Sequence, residues 1–164
     1  MPYPHIDMQY VLDRTAIEAI ITRYFQGLDR GLVDQVRSCF TDDVKAFYDG
    51  REPISGIEAL INSMQTFKRI AVGEMKATTH FMGNLNVHRL EGDEAEAETY
   101  AIAFLVLAGE PAGPIEMRNL RYLDRLRKVN SEWRISERRH TLDWSCELQP
   151  TFAVALAQRM TTWP

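Results

Sequence analysis

Four side chains in this sequence have the types and settings that proton chemistry needs: His80, Asp29, Tyr24 and Arg138. His80 sits in Thr79-His80-Phe81-Met82-Gly83-Asn84, a run with strand character. An imidazole can take a proton near neutral pH, which suits a general base. Such a base needs an acceptor on its second ring nitrogen, to fix the tautomer and to stabilise the imidazolium. Asp29, at the end of an apolar helical stretch, could supply that acceptor. A carboxylate at a helix C-terminus is disfavoured by the helix dipole, so a histidine or arginine partner is expected there. The plainer roles stay open: His80 as a hydrogen-bonded core residue, and Asp29 as a helix-end residue serving the turn before Gly31. Tyr24 lies five residues before Asp29, slightly rotated from it on a helix surface. Its hydroxyl could donate to a carbonyl or hydroxyl oxygen, or sit at the rim of the core. Strand alternation puts Arg138 and Arg139 on opposite faces, with Arg139 beside Trp133, Ile135 and Asp143. Arg138 could then hold an anionic or oxyanionic group, or be an exposed sheet arginine.

Other chemistries find less support. His80, His88 and His140 have no paired-ligand spacing, and the eight residues from His80 to His88 span roughly 26 Å of strand, too far for one ion. No metal site is expected. There is no G-x-G-x-x-G or P-loop, so no nucleotide cofactor is expected either. The two cysteines, Cys39 and Cys146, have no CxxC neighbour and are expected to be reduced, buried thiols.

These residues need elements to position them. Ile17, Ile20, Ile21, Tyr24, Phe25 and Leu28 recur at helical steps, with Asp13 the expected N-cap and Gly31 the stop. Val33, Val36, Arg37 and Phe40 fit a short second helix. Val44 to Tyr48 reads as a strand ended by Asp49-Gly50. Ser55-Gly56-Ile57-Glu58 has the form of a capping box opening a third helix with Ile57, Leu60, Ile61, Met64 and Phe67 on one side. The second half reads as strands: Thr78–Leu90, Glu94–Ala108, Ile115–Arg127 and Trp133–Cys146. Short turns at Gly92-Asp93 and Lys128 to Ser131 predict two hairpins. Thr151 to Arg159 could form a last short helix. Helices followed by long antiparallel strands predict an α+β domain: a cone-shaped barrel with N-terminal helices packed against a curved, mostly antiparallel sheet. Such strands must curl, and the curl encloses a pocket. Phe25, Met82, Asn84 and Phe104 are expected to touch a ligand there, Met82 and Asn84 because they alternate onto the face of His80.

The sequence resembles the SnoaL-like families of the nuclear-transport-factor-2-like superfamily. The blocks that carry this are Ile20-x-x-x-Tyr24-x-x-x-Leu28-Asp29-Arg30-Gly31, Thr79 to Asn84, Arg121 to Leu126, Trp133-Arg134-Ile135-x-x-Arg138, and Asp143-Trp144. The resemblance covers the stretch from Thr15 to Trp144. Within the superfamily the sequence is similar to the scytalone dehydratase, bile-acid 7α-dehydratase and LinA-type dehydrochlorinase branch. That resemblance implies a His–Asp pair, placed by its motifs at His80 and Asp29, with Tyr24 and Arg138 at the branch's tyrosine and arginine positions. The ketosteroid isomerase arrangement of tyrosine and aspartate is not matched.

The chain of 164 residues is the length of one domain, and 1–164 is expected to form one. Its formal net charge of −4, with acids and bases interleaved, gives no basic patch for nucleic acid. The longest apolar run, Ala101 to Ala108, is too short to span a bilayer, and residues 1–7 do not read as a signal peptide, so a cytoplasmic protein is expected. The expected function is that of a cofactor-independent lyase or isomerase acting on a small hydrophobic, cyclic, oxygenated compound. The alternative is a non-catalytic binding or assembly module resembling a ring-hydroxylating dioxygenase β subunit. Apolar residues on both faces from Ile102 to Val106 predict a homodimer or higher homo-oligomer.

Overall fold

The computed structural model describes residues 6–110 and 112–159. Four helices, α1 (Met8–Arg30), α2 (Val33–Arg37), α3 (Ile57–Ser63) and α4 (Gln65–Ala71), accompany six strands. These are β1 (Phe40–Tyr48), β2 (Ile54–Ser55), β3 (Met75–Glu91), β4 (Glu94–Leu107), β5 (Ile115–Val129) and β6 (Glu132–Leu148). One sheet runs in the order β2-β1-β6-β5-β4-β3, and every neighbouring pair is antiparallel except β1 with β6. This is the expected α+β cone, with both expected hairpins, β3–β4 and β5–β6.

Helix α1 buries Ile17, Ile21, Tyr24, Phe25 and Leu28 against the inner face of the sheet. The inner face of β4 carries Ala95, Ala97, Ala101 and Ala103, all buried. These small side chains give the sheet a shallow centre, on which the aromatic residues of α1 settle. The helix starts earlier than expected. Its N-cap is Asp7, whose carboxylate accepts the Tyr10 N–H at 2.8 Å. Asp13 lies a turn and a half inside and faces the core, accepting Trp133 Nε1 at 2.9 Å, Gln9 Nε2 at 2.9 Å and Lys128 Nζ at 2.8 Å. Burial acts to raise the Asp13 carboxyl, but the hydrogen bonds from Lys128, Gln9 and Trp133 outweigh it and hold the group below its ordinary value. Gly31 ends α1 in the left-handed conformation, φ 69°, as expected.

Several local expectations are corrected. Phe40 opens β1 instead of ending α2, because its buried ring belongs to the core beneath α1. Ser55 pairs in β2, so the expected capping box does not form. Gly56 is the N-cap at φ 88°, and Glu58 forms an ion pair with Arg37. The expected third helix is two, broken at Met64, whose ψ of 105° is extended. Within Thr151 to Arg159 the described helical turn is a 3₁₀ one, Leu156–Gln158, in place of the expected short helix. Cys39 is buried as expected, and burial pushes its thiol up to about 11, whereas Cys146 is exposed on the sheet.

Two bulges decide which side chains face inward. In β6, Asp124 pairs with Arg138 and Leu126 with Ile135, which leaves Ser136 as an extra residue. The face therefore switches, and Arg138 joins Trp133 and Ile135 inside while Arg139 is exposed. In β3 the register shifts between Gly83 and Asn86, with Asn84 at φ 44°. Inward positions change from His80 and Met82 to Leu85 and Val87, which pack on the core.

Candidate functional site

A cavity of about 220 Å³ opens between the sheet and the helices. Its wall includes Tyr24 and Leu28 from α1, Tyr48 from β1, and Met64 between α3 and α4. The sheet adds His80, Ala103, Leu105, Leu120, Tyr122, His140 and Leu142, and Asp49, Arg51 and Arg118 are the charged residues at its margins.

His80 stands in this wall, with Asp29 behind it. Asp29 Oδ1 lies 2.7 Å from His80 Nδ1, and Asp29 Oδ2 accepts the backbone N–H of His80 at 2.8 Å. The second bond has a topological reason. β3 is the edge of the sheet, and an edge strand carries N–H groups with no neighbouring strand to accept them. One carboxylate thus holds both the backbone and the ring of the same residue. Phe25 stacks on the imidazole, ring centroids 5.4 Å apart and planes 27° from parallel, which fixes the ring's plane. The His80 side chain is 5% exposed. With Nδ1 committed to Asp29, Nε2 is the nitrogen left for a ligand.

Tyr24, Tyr48 and Tyr122 surround the cavity with phenolic groups. Burial pushes all three above the usual phenol range, so at neutral pH they are O–H donors. Tyr24 is packed edge-on against Phe25, Phe40 and Tyr122, at 5.2, 5.6 and 6.2 Å.

Arg138 lies apart from this wall. Its guanidinium makes a two-pronged bond to Asp124, 2.8 and 2.7 Å, and is covered by the rings of Tyr24 at 4.1 Å and Tyr122 at 4.6 Å. The expectation that it holds a ligand's negative charge is corrected, because its charge is answered by Asp124 and its surface by aromatic rings. Of the four residues expected to touch a ligand, none lines the cavity. Phe25 lies behind His80. Met82 packs on the core and accepts Thr22 Oγ1 at 3.9 Å. Asn84 is turned outward by the β3 bulge, and Phe104 alternates with Ala103 and Leu105 onto the sheet's outer face.

Sequence reasoning passed over His140, Tyr48, Tyr122 and Asp49. Tyr122 was legible, since it alternates with Leu120 in an apolar strand. His140 was hidden by the extra residue at Ser136, which no alternation rule reveals. Its Nδ1 lies 3.5 Å from Asp49 Oδ2, and its ring stands edge-on to Tyr122 at 5.0 Å. Burial drives His140 down to about 4, with Arg138 adding to the effect and Asp49 opposing it. Among the described residues, no three His, Cys, Asp or Glu side chains gather as a metal-ligand group.

The SnoaL-like domain family model matches residues 9–139, which include all but the first residue of α1, His80 and Arg138. The chain belongs to this family. As a SnoaL-like domain it matches solved structures over nearly its whole length. A scytalone dehydratase candidate from Novosphingobium aromaticivorans is 18% identical, with 92% of this chain and 97% of that chain covered and a TM-score of 0.74. A type 3 hexachlorocyclohexane dehydrochlorinase from Novosphingobium barchaimii is 17% identical, covering 91% and 99%, TM-score 0.72. An aromatic ring hydroxylase candidate from Novosphingobium aromaticivorans is 23% identical, covering 84% and 94%, TM-score 0.68. At these identities the likeness is one of fold. None of the curated proteins compared with this SnoaL-like domain matches it. No helix among its described residues is long and apolar enough to cross a membrane.

Proposed function

We propose that this SnoaL-like domain is a cofactor-independent lyase or isomerase of the dehydratase type, acting on a small hydrophobic, cyclic, oxygenated compound. The observation that carries this reading is the 2.7 Å contact between His80 Nδ1 and Asp29 Oδ1 in the wall of an aromatic cavity. His80 Nε2 takes a proton from carbon beside an activating group. The C–H electron pair forms the new double bond. In an elimination the leaving group departs with its own bonding pair, and where it is a hydroxyl the proton held on His80 passes to it, so that water leaves and the imidazole is neutral again. In an isomerisation the proton returns from His80 to another carbon. Asp29 stabilises the imidazolium in between and keeps the ring in place. Tyrosine hydroxyls in the wall donate to the oxygen on which negative charge grows. Relatives of this fold described as a scytalone dehydratase candidate and a dehydrochlorinase support the reaction class.

What favours this over a non-catalytic assembly module is the cavity itself. A module had no need to bring His80 and Asp29 together, and Phe81, Met82 and Phe104, which could have filled the space, do not line it. The test is a matched pair, His80→Ala and Asp29→Asn, assayed against cyclic β-hydroxy ketones for loss of water and against cyclic enones for double-bond migration. Turnover by wild type that falls at least a hundredfold in His80→Ala, with both variants folded, is the expected result. Full activity in both folded variants overturns it.

A further inference from the structure

The cavity holds a second histidine–carboxylate pair that the proposed reaction does not use. His140 Nδ1 is buried and makes no hydrogen bond, yet Asp49 Oδ2 stands 3.5 Å away. Asp49 is not a loose surface group. Both its oxygens lie 3.2 Å from the backbone N of Leu142, and its own N–H reaches the His140 carbonyl at 3.5 Å. The Leu142 N–H thus holds the carboxylate that faces the ring, and the His140 carbonyl accepts from the Asp49 backbone. Tyr48 and Tyr122 hold the ring from two sides, with centroids 5.2 and 5.0 Å away.

Two arguments give this pair a ligand. His140 lines the cavity while its Nδ1 stands just beyond hydrogen-bond reach of Asp49, and an unpartnered buried polar atom is costly, so a ligand that seats the ring closer to Asp49 removes that cost. The carboxylate beside Nδ1 also selects the tautomer with the proton on Nδ1, so Nε2 carries a lone pair and accepts. The ring stays neutral in its setting of buried phenols and the Arg138 charge, so it is an acceptor and not a cation. We infer that His140, backed by Asp49, is a subsite for a hydroxyl group of the ligand, an alcohol or phenol O–H that donates to Nε2 while the apolar ring system lies against Leu105 and Leu120. When Nε2 accepts that bond, Nδ1–H becomes a stronger donor and closes on Asp49. This subsite names the substrate class of the proposed enzyme as hydroxylated ring compounds, and it rests on that reading only for its catalytic meaning.

The experiment is a binding measurement, so it does not depend on turnover. 2-Naphthol and naphthalene are titrated into the wild-type protein and into His140→Phe, which keeps an apolar ring in place. Wild type is expected to bind 2-naphthol at least tenfold more tightly than naphthalene. His140→Phe is expected to lose that preference and keep its naphthalene affinity within about threefold. In parallel, the His140 Nε2 nitrogen-15 resonance of the wild-type protein should move in the direction of an accepted hydrogen bond on adding 2-naphthol and show only a ring-current shift with naphthalene, a readout that holds even if the variant does not fold. His80→Ala should keep the preference, which separates failure of this subsite from failure of the catalytic proposal. Equal affinity for the two probes, binding of neither, or a His140 Nε2 resonance that responds alike to both overturns the assignment.

Discussion

Asp124 and Arg138 are both buried and joined by a two-pronged contact, 2.8 and 2.7 Å. Burying two charges is costly, and removing one of them leaves the other uncompensated. Asp124→Asn should therefore lower stability by roughly 3–5 kcal/mol in urea unfolding, while the paired replacement Asp124→Leu with Arg138→Met should recover most of that loss. Equal stability of Asp124→Asn and wild type would show that the pair does not carry this stability. His140 makes a pH prediction of definite sign. Its folded-state value of about 4 lies below the ordinary 6.5, so the unfolded chain binds the extra proton first as pH falls. The contribution is present above about pH 6.5 and is lost as pH falls towards 4, against the pull of Asp49 and with Arg138, Tyr48 and Tyr122 as its other neighbours. His140→Phe should shrink the stability difference between pH 7 and pH 4 by on the order of 3 kcal/mol. An unchanged difference would place the acid sensitivity elsewhere.

At the scale of elements, the long strands and the first helix were legible in the sequence, and so was the His80–Asp29 pair. The reason is physical: helical spacing and hairpin turns are local signals, and the family motifs mark the C-terminal end of α1 at Asp29 and the middle of β3 at His80. The ligand-contacting set was not legible, because alternation is counted from an assumed register and one inserted residue inverts everything beyond it. Asn84 was assigned inward and faces out, and Arg138 turned inward onto Asp124 while His140 took a place at the cavity. The β5–β6 turn is a cleaner case. The sequence places the turn at Lys128 to Ser131; the structure pairs Val129 with Glu132, and the two residues between them, Asn130 and Ser131, have φ of 52° and 67°, the type I′ pattern in which glycine is favoured second. Ser131→Gly relieves a left-handed serine and should raise stability by roughly 1 kcal/mol, read as a higher melting temperature. A lower melting temperature would mean that the serine side chain contributes more there than its backbone strain costs.

At the scale of the molecule, the outer face of the sheet is divided. Near the β3–β4 turn it is crossed by ion pairs, Arg121 with Glu98, Arg125 with Glu96 and Arg139 with Glu137. Beyond Tyr100 the register sets apolar side chains in rows across the strands. Phe81 stands beside Ile102, Phe104 beside Met117 and Cys146, and Val106 beside Ile115 and Leu148. Trp144 lies next to these rows, and with Phe81 at 72% exposure and Trp144 at 46% the patch is open to solvent in one chain. Contiguous apolar surface of this kind is rare on monomers and is ordinarily covered by a partner. A second copy of the same face is the expected cover, since a two-fold axis through the apolar half would pair like rows with like and leave the ion pairs at the rim. Light scattering should give a mass of two or more chains at micromolar concentration. Phe104→Glu, which places a charge in the middle row without touching the cavity, should return it to the mass of one chain while the circular dichroism of the sheet is retained. A wild-type monomer at high micromolar concentration, or a variant that stays associated, would mean that this face is not where the copies meet.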